Sequence, residues 1–135
     1  MVEVPERVRS LLGDRIESYE GLELLLLLRK KRDGWSSETV LAETLGLSGS
    51  TVREELELLN GRELVELRHE GSNHDYRYAP RTPELDEAVQ ALVTIYDEDR
   101  LAIVQIMNAN AIGRVRTFAA RTFADAFLIK KKKNG

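Results

Sequence analysis

The chain has no cysteine. Disulfides, thiol nucleophiles, thiolate zinc sites and iron–sulfur clusters are therefore excluded. Long apolar runs are missing too. The longest is the five leucines at 24–28, far below the roughly 20 residues that a membrane-spanning helix needs. The opening residues, MVEVPERVRS, lack the basic-then-apolar layout of a secretory signal. The expected location is the cytoplasm, with no integral membrane segment. No nucleophile–base–orienter set, phosphate loop or pair of catalytic carboxylates stands out. No catalytic residue, metal ion or cofactor is expected, and the chain is not expected to be an enzyme. What remains is 135 residues, one domain's length, with 42% apolar and 32% charged residues. That is the composition of a folded chain with one real core.

The net charge of -3 hides a strong segregation. Residues 1–35 are balanced. Residues 36–67 hold seven acidic groups against two basic ones, Arg53 and Arg62, and residues 82–100 hold six against one. Residues 68–81 carry a slight basic excess. Residues 101–135 hold seven basic groups against one acidic. A polyanion would be drawn to the last block and to 68–81, and repelled elsewhere.

Pro5 suits the first turn of a helix carrying Val8, Leu11, Leu12 and Ile16 at helical spacing. Ser18 is a good N-cap for a second, leucine-filled helix that should be the buried centre and that Arg29, Lys30, Lys31 and Arg32 close. Asp33 and Gly34 read as a turn, with Trp35 covering the core edge. Ser36 or Ser37 caps a third helix, which Gly46 ends. Ser48 caps a fourth, with Val52, Leu56 and Leu59 as its buried stripe and Asn60-Gly61 as a left-handed stop. Two short helices joined by so tight a turn make a helix-turn-helix. A β-hairpin follows, with a tip of about five residues around 70–74. Val65, Leu67, Tyr76 and Tyr78 belong to its packed face, and Arg68 and Arg77 to its wet one. Thr82 or Pro83 then opens a long helix to about Asn108. Its broad apolar stripe, interrupted at 97–100, is too long for so small a core, so a homodimer through residues 84–107 is expected. The pattern is mainly α with a small β-hairpin. It divides into 1–81, a dimerisation helix over 82–110, and a basic amphipathic segment over 111–135 with a frayed tail. That last segment repeats Arg116-Thr-Phe-Ala-Ala as Arg121-Thr-Phe-Ala-Asp. A five-residue step turns a helix by about 140° beyond a full turn, so the two copies face different ways. On this spacing Phe123 and Phe127 can pair, with Phe118 off their stripe.

The block Leu41-Ala42-Glu43-Thr44-Leu45-Gly46-Leu47-Ser48-Gly49-Ser50-Thr51-Val52-Arg53 carries the chief signal. Over about residues 18–80 the chain resembles the winged helix-turn-helix transcription regulators, a broad class including the MarR-like and ArsR-like families. Its long helix, Phe-Ala-Asp-Ala-Phe segment and Lys-rich end look most like small uncharacterised bacterial proteins of this type. One departure stands out: the class usually reads Gly-Leu-Val entering the wing, and here the sequence is Glu63-Leu64-Val65, with Gly61 expected to take the turn role. The resemblance implies a winged helix-turn-helix followed by a long C-terminal helix, and a transcriptional regulator reading double-stranded DNA. The helix beginning at Ser48 would enter the major groove amino terminus first. Ser48 and the first amides would meet a phosphate, while Ser50, Thr51 and Arg53 would read bases. Arg68, Arg77 and Arg81 would hold phosphates from the wing, and a dimer would read two half-sites about one helical turn apart.

Two other readings stay open. Glu54, Glu55 and Glu57 make the reading helix acidic, which suits a protein partner at that helix rather than DNA. Phe118, Phe123, Phe127, Leu128 and Ile129, followed by Lys130, Lys131, Lys132 and Lys133, could attach to an anionic membrane or a nucleic acid, or could simply be a solvated end. His69 and His74 read as a solvated wing pair rather than a metal site, and the carboxylates at 97–99 as a wet helix break.

Overall fold

The structure is a computed structural model. It describes residues 3–31 and 34–133; for residues 125 and 127–133 it describes the helix they belong to and not their side chains. Of the frayed tail expected over 130–135, the backbone is helical through Lys133, while Asn134 and Gly135 lie outside the described residues, as do Arg32 and Asp33 and the side chains of Phe127 and of the four terminal lysines.

Helix α1, Glu6–Asp14, follows Pro5 and buries Val8, Leu11 and Leu12. Helix α2, Tyr19–Lys30, is capped by Ser18, whose hydroxyl accepts the Gly21 amide at 2.9 Å. Its Leu22, Leu24, Leu25 and Leu28 are at most 1% exposed, so this helix is the centre of the core. Removing four such side chains from water contributes roughly 6–12 kcal/mol of gross hydrophobic free energy. Strand β1, Ser36–Ser37, leads directly into α3, Glu38–Leu45, which Ser37 caps. Gly46 ends α3 at φ +67, where a side chain is disfavoured, and Ser48 caps α4, Gly49–Gly61. The bent helical pair is therefore present, with Leu41, Val52, Leu56 and Leu59 buried inside its elbow.

The left-handed turn after α4 is not at Gly61. Helix α4 runs through Gly61, and Glu63 takes the positive φ, +69. Glu63 stands where the resembled class has glycine, and it adopts the backbone that glycine would favour. Strands β2, Val65–Glu70, and β3, Asn73–Tyr78, pair with Glu70 opposite Asn73. The tip is thus two residues, not five, with Gly71 at φ +64 in its first position, as the tight mirror-image hairpin turn requires. Ser36 and Ser37 pair with Tyr76 and Asp75, which makes a three-stranded antiparallel sheet in the order β1-β3-β2. Two serines beside a helix cap carry no strand pattern, so β1 is invisible to periodicity.

The single helix expected over 82–110 is two helices, and the boundary expected at 110 falls within the second. Thr82 caps α5, Pro83–Glu98, by accepting the Leu85 amide, and the chain breaks at Asp99. Helix α6, Arg100–Lys133, then runs 34 residues. The expected dimerisation stripe is consumed inside the chain. Ala88, Val89, Leu92, Ile95 and Tyr96 of α5, with Ile103 and Met107 of α6, are buried in the core that α1 closes. Tyr96 and Tyr19 join their hydroxyls at 2.9 Å at the edge of this core. Among the described residues, the exposed large apolar side chains of α6 are instead Leu101, Ile112, Val115, Phe118 and Phe123. Among the described residues no helix is long and apolar enough to cross a membrane.

Candidate nucleic-acid interface

The opening turn of α4 projects from the fold because its apolar positions, Val52 and Leu56, lie on the opposite side. Ser48 and Ser50 are exposed and Thr51 is half-buried. Their hydroxyls form a small network. Ser48 Oγ accepts the Thr51 amide at 3.2 Å, and it lies 2.8 Å from Thr51 Oγ1 and 3.2 Å from Ser50 Oγ. This cap leaves the backbone amides of Gly49 and Ser50 facing outward as donors at the positive end of the helix.

One turn on, Arg53 leans back onto α3. Its Nε and Nη2 donate to the two carboxylate oxygens of Glu38 at 3.0 and 3.3 Å. Glu38 is only 13% exposed at its side chain, and His74 of the wing stands 3.9 Å from it. These groups, with Ser50, Glu54 and Ser72, line an open cleft of about 530 Å³ between α4 and the hairpin tip. Tyr76 of the wing is fully buried, and its hydroxyl finds no hydrogen-bond partner among the described residues. Burial first, then the nearby Glu38 and Glu57, push that phenol up from its ordinary value.

The wing places Arg68 and Arg77 on its outer face, as alternation requires, and both are held there. Arg68 donates to Asp75 at 3.0 Å and Arg77 to Glu66 at 2.7–2.9 Å. Both guanidiniums lie over the Trp35 ring, 4.6 and 4.7 Å from its centroid. Trp35 therefore covers the outer face of the hairpin rather than the edge of the core. Arg81, at the wing's foot, donates to Glu63 at 2.8 Å. Each of the four arginines singled out from the sequence thus stands beside a carboxylate. The pairs are partly exposed, so each is worth little in water and can be exchanged for another anion.

The acidic side chains of α4 separate into two sets. Glu54 and Glu57 share the cleft with Arg53. Glu55 points the other way and accepts the Ser18 hydroxyl at 2.6 Å, tying α4 to the start of α2. His69 and His74 meet as a cross-strand pair, ring centroids 4.5 Å apart. Among the described residues no group of three or more His, Asp or Glu side chains is arranged to hold a metal ion. Sequence reasoning passed over Glu38 as a functional residue. Its only signal was a carboxylate in the first turn of α3, and the tertiary approach of α4 gives that carboxylate its second role.

No protein-family model matches the sequence, and no curated protein matches it. Solved structures do. A possible transcriptional regulatory protein from Mycobacterium bovis (fragment 1–100) is 24% identical, with a TM-score of 0.51 over 68% of this chain and 92% of that one. Reduced HlyU from Vibrio cholerae is 24% identical, with a TM-score of 0.52 over 66% and 88%. A single-residue variant of MepR from S. aureus, bound to an oligodeoxyribonucleotide, is 15% identical, with a TM-score of 0.51 over 88% and 89%. At these identities the likeness establishes the fold: the chain is a winged helix, mostly helical with a small antiparallel sheet.

Proposed function

We propose that this winged-helix chain is a DNA-binding transcriptional regulator, acting as a homodimer. The observation that carries the reading is the free opening turn of α4 beside a wing that bears exposed arginines. The outward amides of Gly49 and Ser50, with the Ser48 hydroxyl, suit a phosphate oxygen. Ser50, Thr51 and Arg53 then face base edges, and Arg53 can grip a guanine bidentately once it leaves Glu38. Arg68, Arg77 and Arg81 take phosphates from the wing, and Trp35 keeps the first two extended. The oligodeoxyribonucleotide bound by the MepR variant supports DNA as the ligand class.

The acidic surroundings shape the affinity. Glu54 and Glu57 flank Arg53 in the cleft, so non-specific attraction to phosphates is weak and binding depends on a few well-placed contacts. Selection from a randomised duplex pool tests this. The intact chain should enrich a defined motif, and Arg53→Ala should lose preference at one or two base pairs. A pool that stays random after repeated rounds refutes the reading.

A further inference from the structure

Helix α6 carries two apolar faces. One holds Ile103 and Met107, which are buried in the core, and continues to Arg114, whose guanidinium donates to the Glu17 carbonyl at 3.0 Å. The other faces solvent. It is formed by Leu101, Val104, Asn108, Ile112, Val115, Ala119, Phe123 and Ala126, and Leu101, Ile112, Val115 and Phe123 are 54–75% exposed. Their spacing runs 3-4-4-3-4-4-3. An 11-residue step advances a helix by three turns and only about 20°, so this stripe stays on one side for about 38 Å. It lies roughly 140° around the helix from the core face.

Two properties say what covers it. The spacing reads the same in both directions about a point between Ile112 and Val115. A second α6 laid antiparallel therefore matches it position for position. Leu101 meets Ala126, Val104 meets Phe123, Asn108 meets Ala119 and Ile112 meets Val115, each twice, as a twofold interface demands. The charge is polar along the same axis. The acidic corner at 97–99 stands at one end, and the Lys-rich last turn of the helix stands at the other. Antiparallel pairing sets acid level with base, whereas parallel pairing would stack like on like.

We infer that two copies pair through this outer stripe of α6, antiparallel and centred between Ile112 and Val115. The two-copy reading above is thereby given a face, and the interface expected at 84–107 is replaced.

The cysteine-free chain makes the test clean. The 135-residue chain should sediment as a dimer at micromolar concentration. Val115→Asp, which enters the interface twice, should raise the dissociation constant at least about 100-fold. It should leave the circular dichroism unchanged, because Val115 is 67% exposed in one chain. Under mild oxidation, Leu101→Cys alone should not crosslink. Leu101→Cys mixed with Ala126→Cys should give a covalent dimer. A wild-type monomer that instead floats with vesicles of anionic lipid overturns both the pairing and the two-copy reading. A dimer in which Leu101→Cys crosslinks to itself, or that survives Val115→Asp, overturns the pairing alone.

Discussion

Replacing Glu63 should reverse the usual ranking of alanine and glycine. Glu63 sits at φ +69, where a Cβ costs about 1–2 kcal/mol. The neighbouring bonds prevent relaxation. Its amide donates to the Asn60 carbonyl, its carbonyl accepts the Arg81 amide at 3.0 Å, and the next residue, Leu64, is fully buried and donates to Leu59. Its carboxylate faces Arg81 at 2.8 Å and Arg15 at 3.8 Å, exposed pairs that together contribute at most about 1 kcal/mol. Glu63→Ala loses those pairs and keeps the strain. Glu63→Gly loses both, and costs about 0.5–1 kcal/mol of added freedom in the unfolded chain. The glycine variant should therefore be the more stable of the two by roughly 0.5–1 kcal/mol, or about 2–5 °C in Tm. Urea unfolding followed by circular dichroism measures the difference. At any ordinary φ alanine would win. If alanine equals or exceeds glycine at 63, the left-handed turn is misplaced and the path into the wing is wrong.

Glu38→Gln removes the carboxylate that occupies Arg53 and should tighten duplex binding about two- to five-fold; weaker binding would mean that Glu38 positions Arg53 for DNA. Leu56→Ala opens a cavity where the helical pair meets the core and should cost about 2–5 kcal/mol, measured by chemical denaturation. Alkali should destabilise the fold. Burial, then the hydrogen bond to Tyr19, push the Tyr96 hydroxyl up to about 12, and burial with the bond to Asp86 raises Tyr78 as well. Folded protein therefore holds these protons above pH 10 when unfolded chain releases them. The stability they add is complete below pH 10 and is lost as pH rises toward 12 and beyond. A pH series of melting curves should show that fall, and Tyr96→Phe should make it shallower.

Much of the helical frame was legible because caps and periodicity are local. Ser18, Ser37, Ser48 and Thr82 each cap the helix that their position suggests. Val52, Leu56 and Leu59 face inward as their spacing requires. The rest depended on what meets what across the fold. The 84–107 stripe looks too long for one core, yet α5 and α6 pack on each other and on α1 and so absorb it. Trp35 crosses to the wing because two guanidiniums await it there. The ion pairs of Arg53, Arg68, Arg77 and Arg81 with Glu38, Asp75, Glu66 and Glu63 join residues 7 to 18 positions apart, and no local pattern announces them. The outer stripe of α6 was masked by Asn108 and by the repeated Arg-Thr-Phe-Ala, which draw the eye to a five-residue period.

The most direct measurement is the salt dependence of duplex binding. Fluorescence anisotropy of a labelled 30-base-pair duplex carrying the motif selected from the randomised pool, taken from about 0.05 to 0.2 M salt, gives the slope of log affinity against log salt. A dimer that places Arg68, Arg77 and Arg81 of each copy on the backbone should lose affinity with a slope near -5, as about six phosphate contacts require. Arg77→Ala should reduce that slope by about two, one contact for each copy of the dimer. No binding at 0.05 M, or a slope untouched by Arg77→Ala, would contradict the account.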